Sequence, residues 1–266
     1  MTIVSPCASA TGSIPSPRRR RLKPPPRRAA HDAPLARRLR RIRAVRLLTV
    51  SDVTAPELFP VAHRERFEPL DAVLSCGDVP PEYLTYLGHF FRVPVYYVRG
   101  NHDIRYPSRP PQGATDVHAR LVDLKGLRLL GFEGSMWYNG GPMQYTEAEM
   151  RTILWKTRPM IWWRGGVDIV IAHAPPRGLG DGDDPCHRGF RCFTRFIRTH
   201  QPRWFIHGHI HRVFDDPSQR LRRLGETNIL NTFGWYIVDI DDATIPGKTR
   251  AMEREAPKGP WRRLFS

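Results

Sequence analysis

The segment FIHGHIH, Phe205 to His211, sets three histidines within five residues directly after an apolar run. Neutral imidazole is the commonest metal ligand near pH 7, so a cluster this dense raises ligation as its first chemistry. Such a site also needs oxygen donors, and the chain carries them after other apolar runs. Asp52 follows VRLLTV, Gly77-Asp78 follows DAVLSC, the run VPVYYVR leads into GNHD at 100–103, and VDIVIA leads into His173. Carboxylate, amide and imidazole without thiolate suit manganese, iron, zinc or nickel better than a soft-metal centre. A carboxylate bridging two such ions, roughly 3.5–4 Å apart, lets them clamp a phosphoryl group and acidify a water. Any one of these polar residues alone is an ordinary turn or cap residue. Five apolar runs that each end on Asp, Asn or His point to a site.

The elements that must position them follow from the same pattern. Continuous apolar, β-branched runs of this length predict strands buried on both faces, and LRLLGFEGS and WYIVDID read as two more. Helix-like segments lie between them. PPEYLTYLGHFF opens with prolines suited to a first turn. TEAEMRTILWKTRPMIWWR opens with Thr146 and Glu149 at capping-box spacing. GFRCFTRFIRTH sets Phe193, Phe196 and Ile197 on one face. Alternating strands and helices predict a layered α/β architecture, in which polar residues at strand carboxyl ends gather along one edge.

In this order, Asp52, GD at 77–78, GNHD at 100–103, His173 before APP, and GHIH at 208–211, the chain resembles the calcineurin-like metallophosphoesterase superfamily over roughly residues 46–240. The resemblance implies two packed mixed β-sheets flanked by helices, with one or two divalent metal ions at the strand ends. It implies that Asp78 bridges the ions, that Asn101, His173 and His209 complete one metal site, and that Asp52 and His211 belong to the other. His102, beside Asn101, would then protonate the leaving oxygen after attack by metal-activated water. Asp103 is either the group that orients His102 or a plain turn carboxylate.

One departure stands out. The resemblance calls for Asp-x-His at the first strand end, and this chain has Asp52-Val53-Thr54. A threonine hydroxyl is a poor substitute for imidazole, so the first ion either has fewer protein ligands or takes another, with Glu57 and His63 the nearest in sequence. His207 reads as a strand-end polar residue beside the ligand pair. The Gly-, Pro- and Asp-rich loop APPRGLGDGDDPCHRGF offers Arg177 as a phosphate contact and Asp184 or His187 as pocket groups, the alternative being a solvated surface loop. Trp137 and Tyr138 either stack on a substrate ring or belong to the core.

Charge is unevenly placed. The net charge is +16, but 13 of the 42 Lys and Arg, against a single acid (Asp32), fall within the first 46 residues. That leaves the remainder nearly balanced, which disfavours a dedicated nucleic-acid-binding domain. The expected organisation is a basic, Pro- and Arg-rich disordered arm at 1–43, the phosphoesterase domain at 44–245, and a tail at 246–266. The arm is expected to make at most weak polyanion contacts. No apolar stretch reaches membrane length, so no membrane partner is expected. Four cysteines without a CxxC pair fit a reducing cytoplasm. The expected activity is metal-dependent hydrolysis of a small phosphomonoester or phosphodiester, plausible substrates including a cyclic nucleotide. The alternatives are a nuclease using the basic arm, or a catalytically degenerate binding or regulatory protein on the same scaffold.

Overall fold

The computed structural model describes residues 44–59, 65–67 and 69–241. Its elements run β1 (Val45–Ser51), β2 (Ala72–Ser75), α1 (Pro81–Phe91), β3 (Val95–Tyr97), β4 (Ala114–Asp116), β5 (Leu121–Leu124), β6 (Leu127–Phe132), β7 (Ser135–Met136) and β8 (Gln144–Tyr145). They continue with α2 (Glu147–Trp163), β9 (Ile169–Ala172), α3 (Arg191–His200), β10 (Trp204–His207), β11 (Leu221–Leu224), β12 (Thr227–Asn231) and β13 (Gly234–Ile240). The expected arm at 1–43 and tail at 246–266 lie outside the described residues, as does His63.

Two mixed sheets result. One has the order β13-β1-β2-β3-β4 and the other β11-β12-β10-β9-β6-β5. The inner strands of each pair in parallel, while β13 joins β1, β11 joins β12 and β5 joins β6 antiparallel. This is the expected architecture of two packed mixed sheets with helices.

The continuous apolar runs are explained by alternation into two different cores. On β1, Val45 and Leu47 enter the core between the sheets, while Leu48 and Val50 enter the core beneath α1. On β9, Ile169 and Ile171 face inward, while Val170 and Ala172 pack under α2 and α3. Period-two strands covered on both sides need apolar residues at every position.

The helices form as their signals predict. Thr146 and Glu149 make the reciprocal capping box that starts α2. Pro81 sits in the first turn of α1, and Phe193, Phe196 and Ile197 form the buried stripe of α3. At the end of the second sheet where β6 and β9 begin, Arg128 grips the buried Asp168 with two nitrogens, at 2.7 and 2.9 Å, and donates to the Arg164 carbonyl that closes α2. The opposite ends of the parallel strands open onto the candidate site.

Candidate metal centre

Each motif glycine makes room for the polar residue beside it. A Cβ on Gly77 would stand 2.3 Å from the Gly100 nitrogen, and one on Gly100 would stand 2.0 Å from Asp78 Oδ1. A Cβ on Gly208 would meet Asp52 Oδ2 at 2.7 Å. Real Cβ atoms do not sit so close to other heavy atoms, so GD, GN and GH are backbone-packing requirements before they are ligand motifs. Three of the polar residues, Asp52 (φ 67°), Asp78 (φ 55°) and His209 (φ 66°), are themselves left-handed. Asp and His tolerate that region better than most residues, and its clustering here marks a functional site.

The side chains converge. His173 is fully buried, and its Nδ1–H donates to the Cys76 carbonyl at 2.8 Å. Nε2 is thereby left as the lone-pair nitrogen, and it lies 3.0 Å from Asn101 Oδ1 and 3.3 Å from Asp78 Oδ2. Three electron-rich atoms at such distances repel unless a proton or a metal cation sits among them. Burial pulls the His173 pKa down, but the charge and hydrogen bond of Asp78 outweigh it and push the imidazole up to about 9. Burial likewise raises Asp78, and there His173 and the His102 N–H outweigh it, holding the carboxyl well below its usual range.

His209 completes this group, since one ligand atom each of Asp78, His173 and His209 lies within 4.8 Å of the others. Its Nε2–H donates to the Cys186 carbonyl at 2.8 Å, which leaves Nδ1 unprotonated. Burial and the neighbouring His173 hold this imidazole down, to about 3, and so neutral. Asp52 and His211 form a second pair alongside. His211 Nε2 is 3.3 Å from Asp52 Oδ1, and the Asp52 carboxylate accepts the His209 backbone N–H at 3.0 Å. Hydrogen bonding to Asp52 raises the His211 pKa. Carboxylate, amide and imidazole donors, with the outer nitrogens of His173 and His209 anchored on carbonyls, are a set that fits divalent metal.

The remaining expected site residues fall differently. His102 is exposed, and its backbone N–H donates 2.8 Å to Asp78 Oδ1. Asp103 does not reach for His102. Its buried Oδ2 accepts the N–H groups of Gly100 at 2.7 Å and Asp78 at 2.8 Å, so it shapes the backbone that carries the ligands. Burial pushes its carboxyl up to about 7. His207 is buried and donates from Nδ1 to the Gly208 carbonyl, and burial lowers it to about 4.

Arg177 is engaged away from the cluster. It is paired with Asp181 at 2.9 Å and lines a hollow with α3 arginines. The same loop nevertheless belongs to the site. Its Cys186 carbonyl orients His209, and the His187 ring lies 5.3 Å from that of His209 and 6.2 Å from that of His211, held by Asp184 at Nδ1. Tyr138 accepts from Asn101 Nδ2 at 3.2 Å, which points Oδ1 toward His173, while Trp137 is 54% exposed and therefore not a core residue.

Thr54 is exposed, and one oxygen of the nearby Glu57 carboxylate is buried without a hydrogen-bond partner. Neither supplies an imidazole to the Asp52–His211 pair. Thr54→His is accordingly expected to raise metal content from about one ion toward two per chain. Metal analysis at limiting manganese, with wild type alongside, checks this. Two tightly held ions in the wild type would overturn it and point to a replacement ligand, with Glu57 and His63 the first to examine.

The calcineurin-like phosphoesterase family model matches residues 50–213. Among solved structures, the Thermus thermophilus protein TT1561 is similar at 14% identity, covering 75% of this chain and 100% of that one, with a TM-score of 0.51. Another reaches a TM-score of 0.55 at 14% identity, covering 74% of this chain and 95% of its own. A metallophosphoesterase from Sphaerobacter thermophilus matches at 14% identity over 74% of this chain and 84% of its own, with a TM-score of 0.31. No curated protein matches the sequence.

Proposed function

The chain belongs to the calcineurin-like phosphoesterase family, and from that premise we propose that it is a metal-dependent phosphoric ester hydrolase acting on small phosphorylated molecules, phosphodiesters above all. The observation that carries this reading is the meeting of His173 Nε2, Asn101 Oδ1 and Asp78 Oδ2, a buried group of potential metal donors that a proton on His173 or a metal cation must hold together. Asp78, Asn101, His173 and His209 would hold one ion, and Asp52 with His211 would contribute to a second. When bound, such ions supply Lewis acidity at phosphorus and an acidified water.

The chain's own groups do the rest. The Cys76 and Cys186 carbonyls fix the histidine tautomers so that lone pairs face the cluster. Tyr138 fixes the Asn101 amide. His102, exposed and next to Asn101 in sequence, would hand a proton to the leaving oxygen. The loop carrying Cys186 and His187 sits against the ligand histidines, which favours a small substrate over a long polymer.

Hydrolysis of aryl phosphodiester and phosphomonoester substrates by the full chain, with Mn, Fe, Zn or Ni each supplied after chelation, tests the proposal. Restored turnover that Asp78→Asn abolishes is the expected result. Cleavage of oligonucleotides alone, falling steeply with salt, would move the assignment to a nuclease. Metal binding without turnover on any ester would support a binding role for the scaffold, the reading that Thr54 favours.

A further inference from the structure

Helix α2 buries Met150, Leu154, Thr157 and Ile161, a stripe at helical spacing against the second sheet. What it presents outward is unusual for a soluble surface. Trp155 is 65% exposed, Trp162 81% and Trp163 75%. Large exposed apolar side chains grouped on one element mark an interaction site. Around them stand Arg151, Lys156, Arg158 and Arg164, and residues 150–167 contain no acid. The Arg164 guanidinium lies 5.3 Å over the Trp163 ring.

The neighbouring helix continues the charge. Arg191, Arg195 and Arg198 of α3 line a hollow of about 290 Å³ with Arg177, and α3 has no acidic residue. The helices pack side by side, with the Glu147 carboxylate of α2 accepting the first N–H groups of α3. Farther along, burial together with the Arg158 charge depresses His200.

We infer that this α2–α3 face docks on an anionic lipid surface, with the three tryptophans at headgroup depth and the basic side chains among the phosphates. Charge decides the class of occupant. A second copy would bring like charge to like charge, and the terminal segments outside the described residues, 1–43 and 242–266, are both net basic. An anionic partner is left. Trp155 and Trp162 lie seven residues apart on an outward ridge, roughly 10 Å along the axis, rather than in a groove where successive bases stack. Indole rings flanked by Lys and Arg on one helix face suit the flat headgroup region.

No helix among the described residues is long and apolar enough to cross a membrane, but a surface helix does not need to. The expectation of no membrane partner rested on the lack of a membrane-length apolar stretch, which bears on spanning and not on surface docking. The Arg128–Arg164 contact sets the end of α2 beside the start of β6, away from His173, so docking would tether the chain while leaving the candidate metal centre open to solutes.

Flotation of the full chain with phosphatidylcholine vesicles, with and without phosphatidylserine, tests the inference. A single-stranded oligonucleotide serves as the competing polyanion. The expected result is co-flotation that requires phosphatidylserine, with a blue shift of tryptophan emission. The triple change Trp155→Ser, Trp162→Ser and Trp163→Ser should weaken binding by about tenfold or more while ester hydrolysis is unchanged. The pair Lys156→Glu and Arg158→Glu, which leaves the apolar surface in place, should remove the lipid preference. Failure of the wild-type chain to float, flotation of either variant at the wild-type level, or binding of the oligonucleotide but not the vesicles would each overturn it. The flotation, competition and emission readouts do not depend on the hydrolase reading.

Discussion

His102→Ala is expected to lower turnover by roughly 10²–10⁴-fold while leaving metal content nearly unchanged, the range a positioned general acid contributes. The reason is where the two parts of the residue go. Its backbone N–H bonds the Asp78 carboxylate, and any residue keeps that bond, so the metal cluster survives the change. Its ring is exposed, and that is what the substitution removes. The penalty should depend on the leaving group. An alkyl ester, whose departing oxygen needs a proton, should suffer the full loss, and a nitrophenyl ester, whose oxygen leaves as an anion, only a small one. Equal losses for both would remove His102 from the proton-donor role. Asp103→Asn separates orientation from backbone support: with Oδ2 committed to the Gly100 and Asp78 N–H groups, it should disturb metal binding and leave the leaving-group dependence as it was.

Gly100→Ala should be nearly as damaging, by a different route. The added methyl would stand 2.0 Å from Asp78 Oδ1 and 2.7 Å from His173 Cε1, so one of them must move. A displacement of about 1 Å in a reacting constellation costs on the order of 10²-fold in rate. Here metal affinity should fall with it, because both displaced groups belong to the ligand set. Overpacking adds a stability loss of about 1–3 kcal/mol. Metal titration and denaturant unfolding on the same preparation separate the two effects. Wild-type metal affinity in Gly100→Ala would show that the cluster yields more easily than these contacts allow.

Much of this was legible in the sequence because the relevant signals are carried by side chains. Strands covered on both faces read as unbroken apolar runs, and every such run is a strand. The polar residues after them are conspicuous because they interrupt those runs. Other strands escaped for the opposite reason. β4 has no fully buried residue and β5 only one, β7 and β8 are two residues each, β11 carries two exposed arginines in its four residues, and β12 has only Ile229 and Leu230 between polar ends. The supports of the site were hidden in a different way. The Cys76 and Cys186 carbonyls act through the backbone, which has no residue signature, and Tyr138 reaches Asn101 across 37 positions. Asp103 was read from its neighbour in sequence, whereas its carboxylate turns back to backbone N–H groups on two segments.

The candidate ligands are divided between the two sheets, Asp52, Asp78 and Asn101 from one and His173, His209 and His211 from the other. Across that division the protein's own polar ties include His173 to the Cys76 carbonyl, the His209 N–H to Asp52 and the Arg99–Glu133 pair. Cations gripped from both sides bind only when the halves are together, so their binding energy is also assembly energy. By mass action, free metal at a hundred times its dissociation constant stabilises the fold by about 2.7 kcal/mol. That is a sizeable share of the roughly 5–15 kcal/mol that separates a typical domain from its unfolded chain. On the proposed assignment, metal starvation would be a folding problem as well as a catalytic one, and the persistence of the polypeptide would become a readout of how much metal its surroundings hold.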